Sequence, residues 1–86
     1  MVNDNDYVAI FHNIHRVMKA EQLLKQARLA ILLIPVPRQL SSDCGLALRF
    51  AASAQDEVLA LLRREGLAPV ELYRRNGKEF VRMALE

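Results

Sequence analysis

The feature that most constrains the fold of this chain is a weak internal repeat with an offset of 38 residues. Residues 23–30 read Leu-Leu-Lys-Gln-Ala-Arg-Leu-Ala, and residues 61–68 read Leu-Leu-Arg-Arg-Glu-Gly-Leu-Ala. The same offset aligns residues 8–11 with residues 46–49. A strand–helix–strand unit that occurs twice gives the order βαββαβ. The repeat therefore predicts an α+β, ferredoxin-like (split-βαβ) two-layer sandwich, in which a four-stranded antiparallel sheet carries two helices on one face.

Local signals place the elements of this sandwich. Apolar residues at helical spacing predict one helix over about residues 13–27 and another over about residues 54–65. Asn13 is a good N-cap, Ser53 with Asp56 resembles a capping box, and Gly66 stands where a C-cap glycine belongs. Short apolar runs predict strands over residues 7–11, 31–36, 46–50 and 70–75.

The C-terminal tail allows two interpretations. The 86 residues make a single domain, with a core over about residues 7–75 and an extension over residues 76–86. Asn76-Gly77 is a strong hairpin signal, so we expect the extension to return as a strand. Residues 79–85 also accept a helical interpretation.

Composition excludes several classes of protein. Twelve basic residues against ten acidic ones give a charge of +2, which is too small and too evenly spread to indicate nucleic-acid binding. The apolar runs are far too short to cross a membrane, and the acidic N-terminus does not resemble a signal peptide. A single cysteine excludes an internal disulfide framework and favours a cytoplasmic, reducing location.

Two predicted strands are apolar on both faces. In a sheet that carries helices on one face only, strands should alternate between apolar and polar residues. Residues 7–11 and 31–34 do not alternate. Either the C-terminal extension or a second chain should therefore cover the open face, and we expect a homodimer through this sheet face.

The loop over residues 35–45 is the one segment in which chemistry is expected, and it contains Cys44. Because the first and third strands pair in this fold, Cys44 should lie near His12, His15 and the positive N-terminus of the first helix. That environment and Arg38 would favour a thiolate, whereas the adjacent Asp43 would oppose it. Candidate binding or supporting residues are Arg38, Ser41, Ser42, Gly45, His12 and His15.

Each candidate also has a structural interpretation. A lone cysteine is often a small buried hydrophobe, and the two histidines can simply flank the first helix. A Cys-His-His metal site would have only three ligands, so no metal or other cofactor is predicted. The pairs Arg63-Arg64 and Arg74-Arg75 are typical of solvated surface charge. There is no glycine-rich nucleotide loop, and the aromatic pattern of an RNA-binding sheet is absent.

The loop resembles the signature of a known family of small bacterial proteins. The matching residues are Ile34, Pro35, Val36, Pro37 and Arg38, then the run 41–50 that contains Cys44, preceded by the helical run 19–25. Over about residues 7–75 the chain resembles the Putative Se/S carrier protein-like family. Arg28 stands where this family usually ends its helix with glycine, and Asp43 replaces a residue that is often small.

The resemblance implies a small cytoplasmic carrier in which Cys44 holds sulfur or selenium as a persulfide or selenosulfide. Its partners would be a donor protein and an acceptor protein, without nucleic acid or membrane, and it would have no turnover of its own. Such a carrier benefits from having no second internal cysteine, which would resolve the persulfide into a disulfide. The alternative is a non-catalytic regulatory or assembly module with a structural Cys44. A thiol enzyme with a Cys44–histidine pair ranks third.

Overall fold

The protein is described by a computed structural model that covers residues 2–40 and 44–85. Within these residues, a 3₁₀ turn at Ala52–Ala54 precedes the second of two α-helices, and five β-strands complete the fold. The elements in chain order are β1 Tyr7–Ile10, α1 Ile14–Gln26, β2 Ile31–Pro35, β3 Leu46–Phe50, α2 Gln55–Arg64, β4 Glu71–Asn76 and β5 Glu79–Met83.

The strands form one antiparallel sheet in the order β2-β3-β1-β4-β5. The predicted mixed α+β class and antiparallel sheet are confirmed. The predicted number of four strands is wrong, because the sheet has five among the described residues, and the ferredoxin-like assignment is not confirmed. Gly77 has a positive φ of 63° in the turn that reverses the chain and pairs β5 with β4. The turn residues are Gly77 and Lys78 rather than Asn76 and Gly77.

The main core lies between the sheet and the two helices. Tyr7 on β1 stacks on Phe50 of β3, with ring centroids 5.8 Å apart. Both helices contribute buried side chains to the same cluster, so they cover the same face of the sheet, as predicted. The helical members are Val17, Ala20, Leu24, Val58, Leu59 and Leu62.

The opposite face of the sheet carries a second, smaller apolar cluster. Val8 and Ile10 on β1 are almost completely buried there with Ile34 and Ala47. The residues that pack against them come from the N-terminal segment, the chain after β2, the start of β4 and the β4–β5 hairpin, namely Val2, Val36, Leu40, Val70, Tyr73 and Phe80. The two-sided apolar strands are thus accounted for within one chain, while a homodimer through this face stays a prediction.

The two helices begin differently. Asn13 caps α1 as predicted, because its side-chain oxygen accepts a hydrogen bond of 3.0 Å from the Arg16 amide. The predicted capping box at α2 is wrong. Ser53 lies inside the 3₁₀ turn, and the N-cap residue of α2 is Ala54, which offers no side-chain acceptor.

The two helices end alike, and the likeness follows the sequence repeat. The Leu29 amide donates to the Leu24 carbonyl, and 38 residues later the Leu67 amide donates to the Leu62 carbonyl. This ending requires a residue with positive φ. Gly66 provides it after α2, as predicted, but Arg28 provides it after α1 with a φ of 63°.

Within residues 2–40 and 44–85, neither helix combines the length and the apolar character that a membrane crossing needs.

Replacement of the two predicted capping residues should have unequal effects on stability. Asn13→Ala removes an acceptor from a helix N-terminus and should lower the free energy of unfolding by about 1 kcal/mol. Ser53→Ala removes no cap and should change it by less than about 0.5 kcal/mol. Urea denaturation followed by circular dichroism measures both, and equal losses would contradict the capping assignment.

Tyr73 should make the protein less stable at alkaline pH. Partial burial, and then the neighbouring Glu71 carboxylate that its hydroxyl contacts at 3.3 Å, raise the pKa of Tyr73 above its ordinary 10.0, although Arg82 opposes the shift. The neutral phenol is therefore favoured in the folded state. The stabilisation is complete below the unfolded pKa, and it is lost as the pH rises from there through the folded pKa.

The measurement compares urea midpoints at about pH 9 and about pH 11 for the wild type and Tyr73→Phe. The wild type should lose more stability than the variant over this interval. Every side chain other than Tyr73 is the same in both proteins, so the contribution of the other groups cancels in the comparison. Equal losses would show that Tyr73 does not contribute.

Candidate functional site

Cys44 lies two residues before the start of β3, at the end of the sheet where α1 begins. The pairing of β1 with β3 sets Ile10 opposite Ala47, and it therefore brings the residue after β1, Phe11, next to the start of β3. Cys44 is half-buried and packs against the edge of the main core. The predicted proximity of Cys44 to the start of the first helix follows directly from this register.

Two main-chain oxygens contact the sulfur of Cys44. The Sγ atom lies 3.0 Å from the Leu46 carbonyl oxygen and 3.8 Å from the Phe11 carbonyl oxygen. A thiol can donate its proton to such an acceptor, whereas a thiolate has no proton to donate. The two described contacts are therefore hydrogen bonds that the thiol form of Cys44 can donate.

Gly45 shapes the backbone next to the sulfur. Its φ is +73°, a conformation that favours glycine, and a Cβ atom placed there would meet no heavy atom within 4 Å. The backbone conformation therefore accounts for glycine at this position, and no described group of this chain approaches the place of the missing Cβ. The Gly45 carbonyl accepts a hydrogen bond of 3.0 Å from the Val36 amide, which joins the two ends of the loop.

The rest of the loop contributes one described candidate. Arg38 is exposed in a turn that the Leu40 amide closes on the Pro37 carbonyl at 2.9 Å. Leu40 then packs against the smaller core cluster. The predicted site residues Ser41 and Ser42, and also Asp43, lie outside the described residues.

The two histidines lie at the same end of the sheet as Cys44. His12 follows Phe11, whose carbonyl contacts the sulfur, and His15 lies in the first turn of α1. Both side chains are exposed. Their supporting role at Cys44 stays a prediction.

Arg16 is a feature of this end that the sequence interpretation missed. Its guanidinium donates a hydrogen bond of 2.6 Å to the Gly66 carbonyl, so the start of α1 is tied to the chain that follows α2. The contact brings the exposed Arg63 and Arg64 to the same end of the molecule, where Arg64 pairs with Glu65 at 3.6 Å. Gly66 is 50 positions away from Arg16 in the sequence, so no local pattern indicates their contact. Only the position of Arg16 within a helix was predictable.

Metal binding finds no support in the described part of the chain. No group of three or more histidine, cysteine, aspartate or glutamate side chains there is arranged to hold a metal ion.

Fold and site together define a class of small α+β protein in which a half-buried cysteine is held by main-chain carbonyls at one end of the sheet. Residues 6–74 match the family described as Putative Se/S carrier protein-like. Because the match covers most of the 86 residues, this chain belongs to that family. No curated protein and no solved structure matches the chain.

Alanine at Gly45 should expose Cys44, whereas alanine at Gly77 should not. Both glycines have positive φ and open space around the Cβ position, so each substitution should cost about 1 kcal/mol of backbone strain. Relief of the strain at position 45 moves the chain beside the sulfur and weakens its contact with the Leu46 carbonyl. Gly45→Ala should therefore speed alkylation of Cys44 by iodoacetamide under native conditions.

Gly77→Ala is the matched control, since it carries the same strain in the β4–β5 turn, away from Cys44. An equal acceleration in both variants would mean that general destabilisation exposes the sulfur. An unchanged rate in Gly45→Ala would contradict the role assigned to Gly45.

Proposed function

We propose that this protein is a carrier that holds one sulfur or selenium atom on Cys44 and passes it to an acceptor. The observation that carries the proposal is the placement of the only cysteine of the chain, half-buried beside a surface loop, in a member of the Se/S carrier protein-like family. A carrier atom needs both access to partners and protection from bulk oxidants, and a half-buried sulfur offers both.

The transfer needs no external oxidant or reductant. The Cys44 thiol releases its proton to solvent, and the thiolate attacks the outer sulfur of a donor persulfide. One S–S bond forms on Cys44 while the S–S bond of the donor breaks, and the donor leaves as a thiolate. An acceptor nucleophile then attacks the outer sulfur and Cys44 is regenerated. The same exchange with selenium passes through a selenosulfide.

The main-chain contacts of the Cys44 sulfur define its resting position in the unloaded carrier. Loss of the proton ends the two hydrogen bonds to the Leu46 and Phe11 carbonyls, so these two contacts no longer restrain the sulfur. Gly45, with its positive φ, lies directly after Cys44 in this segment. We propose that a donor protein captures the sulfur in the released position.

Arginine side chains at the same end of the molecule as Cys44 support an anionic donor group. Arg16, Arg63 and Arg64 lie at this end of the molecule, and Arg38 lies in the same loop as Cys44. A persulfide anion would be attracted to such a rim. We assign His12, His15 and Arg38 supporting electrostatic roles, with Ser41, Ser42 and Gly45 as the loop through which partners approach. A cytoplasmic location fits this chemistry, because a reducing compartment keeps the thiol available.

The strand order also supports a finer description of the fold. Without β5, the order β2-β3-β1-β4 with two helices on one face corresponds to the split-βαβ arrangement. We infer that the carrier is a ferredoxin-like domain extended by one strand.

Loading of Cys44 should be visible in the mass of the intact protein. The wild type is incubated with a cysteine desulfurase and cysteine, or with a selenocysteine lyase and selenocysteine, and then desalted. We expect a gain of one sulfur or one selenium atom that a thiol reductant reverses. Cys44→Ser, which has no thiol, should gain nothing and controls for non-covalent sulfur.

A specific observation also favours a second function, a regulatory or assembly module with a structural cysteine. The sulfur packs against the core and contacts main-chain acceptors, as a structural cysteine does. This function predicts no adduct, slow alkylation of native Cys44 and normal assembly of Cys44→Ser. The absence of any adduct on a wild-type protein whose Cys44 is alkylated slowly would decide for the module and against the carrier.

A further inference from the structure

The edge strand β2 differs from the other edge strand of the sheet in its charge. β2 lies at one end of the strand order and β5 at the other. The sequence of β2 is Ile-Leu-Leu-Ile-Pro without a charged residue, whereas β5 carries the exposed Glu79 and Arg82. Charged side chains are the usual protection of an edge strand against pairing with another chain. Only the β5 edge has this protection.

The hydrogen-bond pattern shows which groups of β2 point outward. The Val36 amide donates to Gly45, so Val36 and Gly45 form a hydrogen-bonded pair of the β2–β3 ladder. Such pairs alternate along an antiparallel ladder. Leu32 and Ile34 therefore bond to β3, while the main-chain groups of Ile31 and Leu33 point away from the sheet.

The row of outward-pointing main-chain groups on β2 is bounded at each end by a residue that has no free amide hydrogen to offer. The Leu29 amide donates within its own chain to the Leu24 carbonyl, and Pro35 has no amide hydrogen. Between these limits, Ile31 and Leu33 each offer one donor and one acceptor. A two-fold axis at Leu32 pairs Ile31 of each copy with Leu33 of the other and satisfies all of these groups. The edge is thus complementary to itself.

Exposed apolar side chains lie along the same edge. Leu32 is 44% exposed and would face its own copy across the axis. On α1, which contacts β2, β3 and α2, Met18 is 50% exposed and Ile14 is 42% exposed. Successive helical residues are separated by about 100°, so Met18 lies nearly opposite Arg16, the residue that reaches the end of α2. Ile14 and Met18 therefore lie on the flank of α1 above β2.

The charges on this flank also suit a second copy. Lys25 and Glu21 share the flank with Ile14 and Met18 and form an ion pair at 3.0 Å. The charges of Lys25 and Glu21 cancel, so an antiparallel copy of α1 would not meet an excess of like charge on this flank.

We propose that the protein is a homodimer in which two β2 strands pair antiparallel about Leu32, so that the two sheets become one continuous ten-stranded sheet. The occupant of the β2 edge is a second copy of this chain, and the interface is isologous. The proposal does not depend on sulfur or selenium transfer by Cys44. It also differs from a dimer through the open sheet face, because here the strands meet edge to edge.

A cross-link tests the pairing register. Opposed residues in a non-hydrogen-bonded antiparallel pair have Cα atoms about 4.5 Å apart, within the range of a disulfide bond. In a Cys44→Ser background, Leu32→Cys should form a disulfide-linked dimer on mild oxidation with diamide. Val81→Cys in the same background is the matched control, since Val81 is a 37% exposed apolar residue on the β5 edge, and it should remain uncross-linked.

Sedimentation equilibrium tests the dimer itself. The wild type should have twice the 9.8 kDa chain mass, and Leu32→Glu should raise the dissociation constant by about tenfold or more because two carboxylates would oppose each other at the axis. Val81→Glu should leave the dissociation constant unchanged, and circular dichroism confirms that both variants fold. A monomeric wild type, or a dimer in which Leu32→Cys does not cross-link, overturns the proposal.

Discussion

The structure depends on the double pairing of β1. This strand bonds to β3 on one side and to β4 on the other, and all four of its residues are buried. Tyr7 and Ala9 belong to the core beneath the helices, while Val8 and Ile10 belong to the cluster on the opposite face. One short segment therefore holds together both layers of packing and the two halves of the sheet. The register of β1 against β3 also brings Phe11 to Cys44.

The parts of the fold that were predictable from the sequence are those that act locally. The side chain of Asn13 and the positive φ of Gly66 operate within a few residues, so α1 and α2 lie within one residue of their expected bounds. Ser53 failed as a cap because the Ala54 amide bonds to the Ala51 carbonyl and continues a 3₁₀ turn in its place. Capping signals do not indicate which of two competing turns forms.

Other features depend on contacts between distant residues. A hairpin signal at Gly77 predicts a turn, but it does not show whether the returning strand joins the main sheet as β5 does. The apolar pattern of β1 correctly indicated burial on both faces. The residues that cover the second face include Val2 and Leu40, from the N-terminal segment and the loop after β2. Their identity depends on where these two segments fold back against the sheet. The location of Cys44 was predictable from strand pairing, whereas the direction of its sulfur was not.

The restraint on Cys44 has a consequence for how the family site can vary. Both acceptors are main-chain oxygens, of Leu46 and Phe11, so no side-chain substitution at either residue deletes them. The resting position of the sulfur is inherited from strand pairing, and strand pairing tolerates many sequences. Substitutions in the surrounding loop therefore leave the two main-chain acceptors of the sulfur in place. In the proposed carrier, partner recognition would then depend on the side chains of the loop, whereas the position of the Cys44 sulfur depends on the backbone.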